Sequence, residues 1–97
     1  MHIELRFYGF VRDVVDTSSF AMELPDRCTL RDLFNLLVER FGQTLRERLF
    51  TDNGELEANV RVFVGDNQTS SLEEPIQNGQ GSLTEVKVFV LSATAGG

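Results

Sequence analysis

The group best placed to do chemistry in this sequence is no side chain but the carboxylate of Gly97, which follows Gly96 at the end of the chain. A carboxylate is a poor acyl donor until a leaving group is attached, and adenylation by ATP supplies one. The acyl group must then enter the site of whatever enzyme activates it. Two terminal glycines bring no side chain to clash there and leave the backbone free to extend. Sulfur attack on such an acyl adenylate gives a thiocarboxylate, a strong sulfur nucleophile; attack by a lysine amine gives an isopeptide bond. The preceding Ser92-Ala93-Thr94-Ala95 holds nothing larger than threonine, so residues 92–97 are expected to form a thin flexible tail. The competing reading is a frayed end, since small residues collect at disordered termini.

Side chains offer less. His2 is expected at the surface, and Glu55, Glu57, Glu73 and Glu74 as a solvated acidic surface with no general-acid pair. Cys28 stands at a predicted helix start, where the dipole would lower a thiol pKa; it is expected as a small structural residue. One Cys and one His exclude the common Cys/His zinc sites and Cys-ligated iron–sulfur clusters within one chain. The glycines are scattered at turns and make no phosphate-binding loop. No bound cofactor or metal is therefore expected. A lone cysteine favours the cytoplasm. The first ten residues lack a signal-peptide pattern, and no apolar run approaches the roughly 20 residues of a membrane helix. A net charge of -6 disfavours nucleic acid as a partner and suits a partner with a basic surface. Of the nine basic residues only Lys87 is lysine. That makes chains of the protein on itself a poor expectation, and it spares an activated carboxyl terminus from internal attack.

Positioning such a tail falls to the elements before it. Ile3 to Tyr8 alternates with period two, as does Phe20 to Leu24, which Pro25 closes; two antiparallel strands are predicted. Phe10 to Val15 reads as a short helical turn. Thr29 reads as a helix N-cap, with Asp32 completing a capping-box arrangement. Leu30, Leu33, Phe34, Leu37 and Phe41 then form one apolar stripe that ends at Gly42. A shorter helix is expected over 44–50, with Leu45, Leu49 and Phe50 inward. Val60 to Val64 reads as a third strand ended by Gly65-Asp66-Asn67. Leu72, Pro75 and Ile76 suggest a turn plugged into the core, residues 78–82 a turn, and Val86 to Leu91 the last strand. The order predicts one α+β domain over residues 1–91. It is a β-grasp arrangement: a mixed sheet of about four to five strands, first and last parallel, with one main helix across one face.

One helix leaves the other face of the sheet open, and strand parity says what it shows. Tyr8, Phe63, Phe89 and Leu91 are expected there, rimmed by Arg6, Arg61 and Lys87. They read as a docking surface beside the tail; the alternative is that the loop around 65–82 closes over them as a second small core.

At this point the chain resembles the MoaD/ThiS-type sulfur carriers, small ubiquitin-like proteins ending in Gly-Gly. The resemblance rests on Ile3-Glu4-Leu5-Arg6-Phe7-Tyr8-Gly9 with Phe10-Val11-Arg12-Asp13, on Thr29-Leu30-Arg31-Asp32-Leu33, and on Val60-Arg61-Val62-Phe63-Val64-Gly65-Asp66. It closes with Val86-Lys87-Val88-Phe89-Val90 and Ala95-Gly96-Gly97. Leu45 to Leu56 is similar to the carriers of cysteine biosynthesis and to the archaeal small modifiers. The resemblance implies a protein cosubstrate rather than an enzyme, possessing no catalysis of its own. It implies a ubiquitin-activating-type adenylyltransferase using ATP and magnesium, and a sulfur donor of the cysteine desulfurase or rhodanese kind. Gly97 would carry the adenylate and then the thiocarboxylate, with Gly96, Ala93, Thr94 and Ala95 entering partner sites. The sulfur acceptor would serve molybdopterin, thiamin or cysteine synthesis, for instance a molybdopterin synthase large subunit. Two departures stand against the molybdopterin branch in particular: Ser92-Ala93 where many members carry a proline pair, and a longer Asn78–Glu85 entry to the last strand. The alternatives are a ubiquitin-like modifier joined through Gly97 to target lysines, and a plain interaction domain.

Overall fold

The computed structural model describes residues 1–9, 11, 14–15, 19–69, 71–76 and 83–91. Alternation does its work first: β1 (His2–Gly9) sends Ile3, Leu5 and Phe7 fully into the core and keeps Glu4, Arg6 and Tyr8 half-exposed. It pairs antiparallel with β2 (Ser19–Glu23) and parallel with β5 (Leu83–Val90). On the far side β5 pairs antiparallel with β3 (Val60–Val64), and β3 with β4 (Asn67–Thr69). The five strands run in the order β2-β1-β5-β3-β4, so the last strand lies at the centre of a mixed sheet. This is the β-grasp topology, with first and last strands parallel as the sequence predicts.

Helix α1 (Leu30–Phe41) starts where its cap requires. The Thr29 hydroxyl accepts from the Asp32 amide and the Asp32 carboxylate accepts from the Thr29 amide, each at 3.1 Å. Two of the amides orphaned at a helix start are thus satisfied. Its stripe of Leu30, Leu33, Phe34 and Leu37 is buried in one core with Val60, Val62, Val86, Val88 and Val90 from the sheet. A second helix, α2 (Gln43–Leu49), follows directly; Leu45 and Leu49 are buried, and Phe50 meets Phe34 edge-on at 5.8 Å. Of the expected turn over 10–15, Val11, Val14 and Val15 are described. The Val11 carbonyl accepts from the amides of Val14 and Val15, and Val11 and Val15 are fully buried.

The structure departs from expectation at three places. Gly65-Asp66 ends β3 as expected, but Asn67 already belongs to a further strand: the pair turns the chain straight into β4, with Val64 opposite Asn67 and Gly65 at φ 61°. Glycine at the first central position is what a two-residue hairpin of the II′ kind demands. Leu72 and Ile76 plug the core as expected, but Pro75 stays exposed and pairs with Thr29 as an isolated bridge. And β5 begins at Leu83, three residues before the apolar alternation starts, because Thr84 continues the buried side of the ladder. The turn expected at 78–82 and the tail 92–97 lie outside the described residues.

Truncating Leu33 or Leu37 to Ala should lower stability by about 2–5 kcal/mol, since each leaves a cavity that its neighbours fill only in part; urea denaturation measures it.

Candidate functional site

Coverage by helices on one side leaves the other side of the sheet to the opposite parity. In the central ladder Tyr8 faces Phe89 across β1–β5, while Arg61 faces Phe89 and Phe63 faces Lys87 across β3–β5. Tyr8 and Phe89 stack at 4.6 Å between centroids, inclined by 12°, and Phe63 meets Phe89 edge-on at 5.6 Å. All three rings are half-buried, and Leu91, two residues beyond Phe89 on the same parity, is 48% exposed. The structure brings together Tyr8, Phe63 and Phe89 as the sequence predicts, at the end of β5 that runs toward the tail. Among the described residues of the 65–76 stretch, the apolar side chains Leu72 and Ile76 enter the main core, so they form no second core over these rings.

Beside the rings runs a chain of ion pairs. Arg6 lies 3.0 Å from Glu4 and 2.8 Å from Glu85, and Lys87 lies 3.3 Å from Glu85. The hydrogen bond and charge of Glu4, then the Tyr8 hydroxyl and Glu85, raise the Arg6 pKa, so it stays charged. Exposed pairs of this kind add little stability; they fix side-chain positions and cancel charge.

The strand end is held from both sides. The Leu91 amide donates to the Asn59 carbonyl at 2.8 Å, and the Asn59 side-chain amide donates back to the Leu91 carbonyl at 2.8 Å. On the β1 side, Gly9 sits opposite Val90 with φ 84°, and a Cβ there would stand 2.3 Å from the Val90 carbonyl oxygen. Strand alternation marks neither Gly9 nor Asn59; the position of Asn59 just before an apolar strand is the one available signal. Gly96, Gly97, Ala93, Thr94 and Ala95 lie outside the described residues.

Cys28 is a small buried residue, as expected, and the helix start does not lower its pKa. Desolvation, then the charge of Asp32, raises it from 9.0. His2 is exposed, with Nδ1 3.2 Å from a Glu23 oxygen, and Glu73 pairs with Arg31, which also donates to the Gly54 carbonyl. Among the described residues no group of three His, Cys, Asp or Glu is placed to hold a metal ion. No described helix is long and apolar enough to cross a membrane.

No family model matches the chain, and no curated protein does. Solved structures do. The small archaeal modifier protein 1 of Haloferax volcanii superposes with a TM-score of 0.75 at 21% identity, covering 94% of this chain and 98% of that one. The putative molybdopterin converting factor subunit 1 of Pyrococcus furiosus gives 0.71 at 19% identity, covering 95% and 99%. A further Haloferax volcanii protein, solved in solution, gives 0.72 at 28% identity, covering 97% and 86%. These neighbours are small ubiquitin-like proteins of the MoaD/ThiS type, and the chain has their β-grasp fold.

Phe63→Asp should fold and lose only about 1 kcal/mol, the worth of its ring contact with Phe89, as thermal denaturation would report. Cys28 should react with a maleimide at pH 7–8 at least about tenfold more slowly in the folded protein than in urea, because burial and a raised pKa both remove thiolate.

Proposed function

We propose that this protein is a sulfur carrier whose Gly97 carboxylate is activated in trans and converted to a thiocarboxylate. The observation that carries the reading is the cluster of Tyr8, Phe63 and Phe89, with Leu91, on the open face at the end of the strand that leads to Gly96-Gly97. A partner that grips these rings has the tail beside its own site. Thr94, Ala93 and Ala95 are narrow enough for a channel, and Gly96 and Gly97 for the reacting centre.

The chemistry belongs to the partners. A ubiquitin-activating-type adenylyltransferase would bind ATP and magnesium. The Gly97 carboxylate oxygen attacks the α-phosphorus, pyrophosphate leaves, and an acyl adenylate forms. A donor persulfide, from a cysteine desulfurase or a rhodanese-like protein, then displaces AMP to give an acyl disulfide. Reduction of that disulfide by a thiol frees the thiocarboxylate. The carrier contributes grip and reach and no catalytic group, which makes it a cosubstrate in the cytoplasm and not an enzyme. The product sulfur would pass to a biosynthetic enzyme of the molybdopterin, thiamin or cysteine type, the first as the small subunit of a synthase complex.

Joining of Gly97 to target lysines is the second reading, favoured by the likeness to small archaeal modifier protein 1. Lys87 bears on it. It is half-buried on the open face against Glu85, where a docked partner would cover it, so linkage would fall on other proteins.

Intact-mass measurement after incubation with activator, ATP, magnesium and a sulfur donor should show a gain equal to one oxygen replaced by sulfur. Deleting Gly97 should abolish it; an unchanged gain would defeat the proposal, and large adducts on other proteins would favour the modifier. Phe63→Asp should weaken binding to the activator by about tenfold or more, as a buried aromatic anchor would.

A further inference from the structure

Docking through the open face leaves the reacting carboxylate six residues beyond Leu91, the last described residue of the chain. A carboxylate at the end of such a stretch meets the activating site only as often as the stretch points there. That frequency depends on how firmly its first peptide group is held.

The geometry at Leu91 addresses this need. The ladder between β3 and β5 runs through Arg61 opposite Phe89 and Val60 opposite Val90, so Asn59 and Leu91 are the next pair. The Leu91 amide makes its ladder bond to the Asn59 carbonyl, but the returning bond comes from the Asn59 side chain, Nδ2 to the Leu91 carbonyl at 2.8 Å. Since the acceptor is a carbonyl, only the NH₂ end of the amide can make that bond, which fixes the side chain's orientation. A peptide group is planar. Holding the Leu91 oxygen therefore holds the plane from which the chain continues toward residue 92. On the other edge of β5, Gly9 is the register partner of Val90, so the strand is paired with β1 up to the residue before Leu91.

We infer that Asn59 is a positioning residue for activation at Gly97: it fixes the peptide plane at the root of the tail and so aims the carboxylate. The inference rests on the proposed activation of that carboxylate. Asn59 reaches no reacting atom and acts only through Leu91. Its side chain is half-exposed beside the ring cluster and makes none of the ring contacts. Losing it should therefore leave docking intact and reduce the fraction of docked complexes that are correctly aimed.

The test uses the full chain ending at Gly97, with Asn59→Ala and Asn59→Asp beside it, in ATP–pyrophosphate exchange by the cognate adenylyltransferase. Asn59→Asp keeps the size of the side chain but sets an acceptor against a carbonyl. Both variants should lower kcat about three- to tenfold, with KM for the carrier within about twofold and the denaturation midpoint unchanged. Hydrogen exchange at the Leu91 amide should quicken in both. Unchanged kcat in both variants would overturn the inference, as would a loss carried by KM alone. A fall in stability that matches the fall in kcat would make Asn59 merely structural, which also overturns it. If the wild-type chain supports no exchange, the reading of Gly97 fails and this one with it; wild-type exchange with unaltered variants removes this inference alone.

Discussion

The parallel pairing of β1 with β5, from His2 opposite Leu83 to Gly9 opposite Val90, is the interaction on which the other features depend. It places β5 between β1 and β3, so both its edges are hydrogen-bonded and its inward valines can pack under α1. The same pairing brings Tyr8 alongside Phe89. Because side chains alternate, burying Ile3, Leu5 and Phe7 obliges Glu4, Arg6 and Tyr8 to face out, and burying Val86, Val88 and Val90 does the same for Glu85, Lys87 and Phe89. Core and open face are two readings of one register. A one-residue slip in β5 would bury the lysine and expose the valines.

How well the sequence could be read follows from which forces set each element. Strands β1, β3 and most of β5, and helix α1, carry their periodicity in apolar residues, and the face that helix leaves uncovered is then arithmetic. Tyr8, Phe63 and Phe89 were legible for that reason. Asn67–Thr69 has no apolar alternation to read: β4 exists because Gly65 turns the chain back on β3, and backbone bonds do the rest. Thr84 was invisible because its hydroxyl hides a buried position. Asn59 and Gly9 act through backbone geometry across strands, which no local pattern encodes. The structural role of Cys28 was legible from its place before the capped helix, whereas the burial that chiefly raises its pKa depends on tertiary packing.

The charges beside the rings form a paired group. There Glu4 and Glu85 are paired with Arg6 and Lys87 and their charges cancel, although the chain as a whole carries -6. Attraction to a basic partner would act at long range and speed encounter, while the face that makes contact is locally neutral and holds by apolar area. The charges beside the rings are also already satisfied within the sheet, so a partner need not supply counter-charges to cover them.

The register that joins Leu5 to Val86 also sets an order of events in the life of the chain. These partners are separated by most of the sequence. Loop closure over such a distance is entropically unfavourable, and contacts of this kind form late and slowly. During synthesis α1 and the β1–β2 hairpin leave the ribosome well before β5 does, and until then the sheet lacks its central strand. The fold therefore closes only after the segment adjoining the tail has been made. A chain cut short before β5 would expose the inward faces of β1 and β3 together, and quality-control proteases would meet it as an unfolded polypeptide.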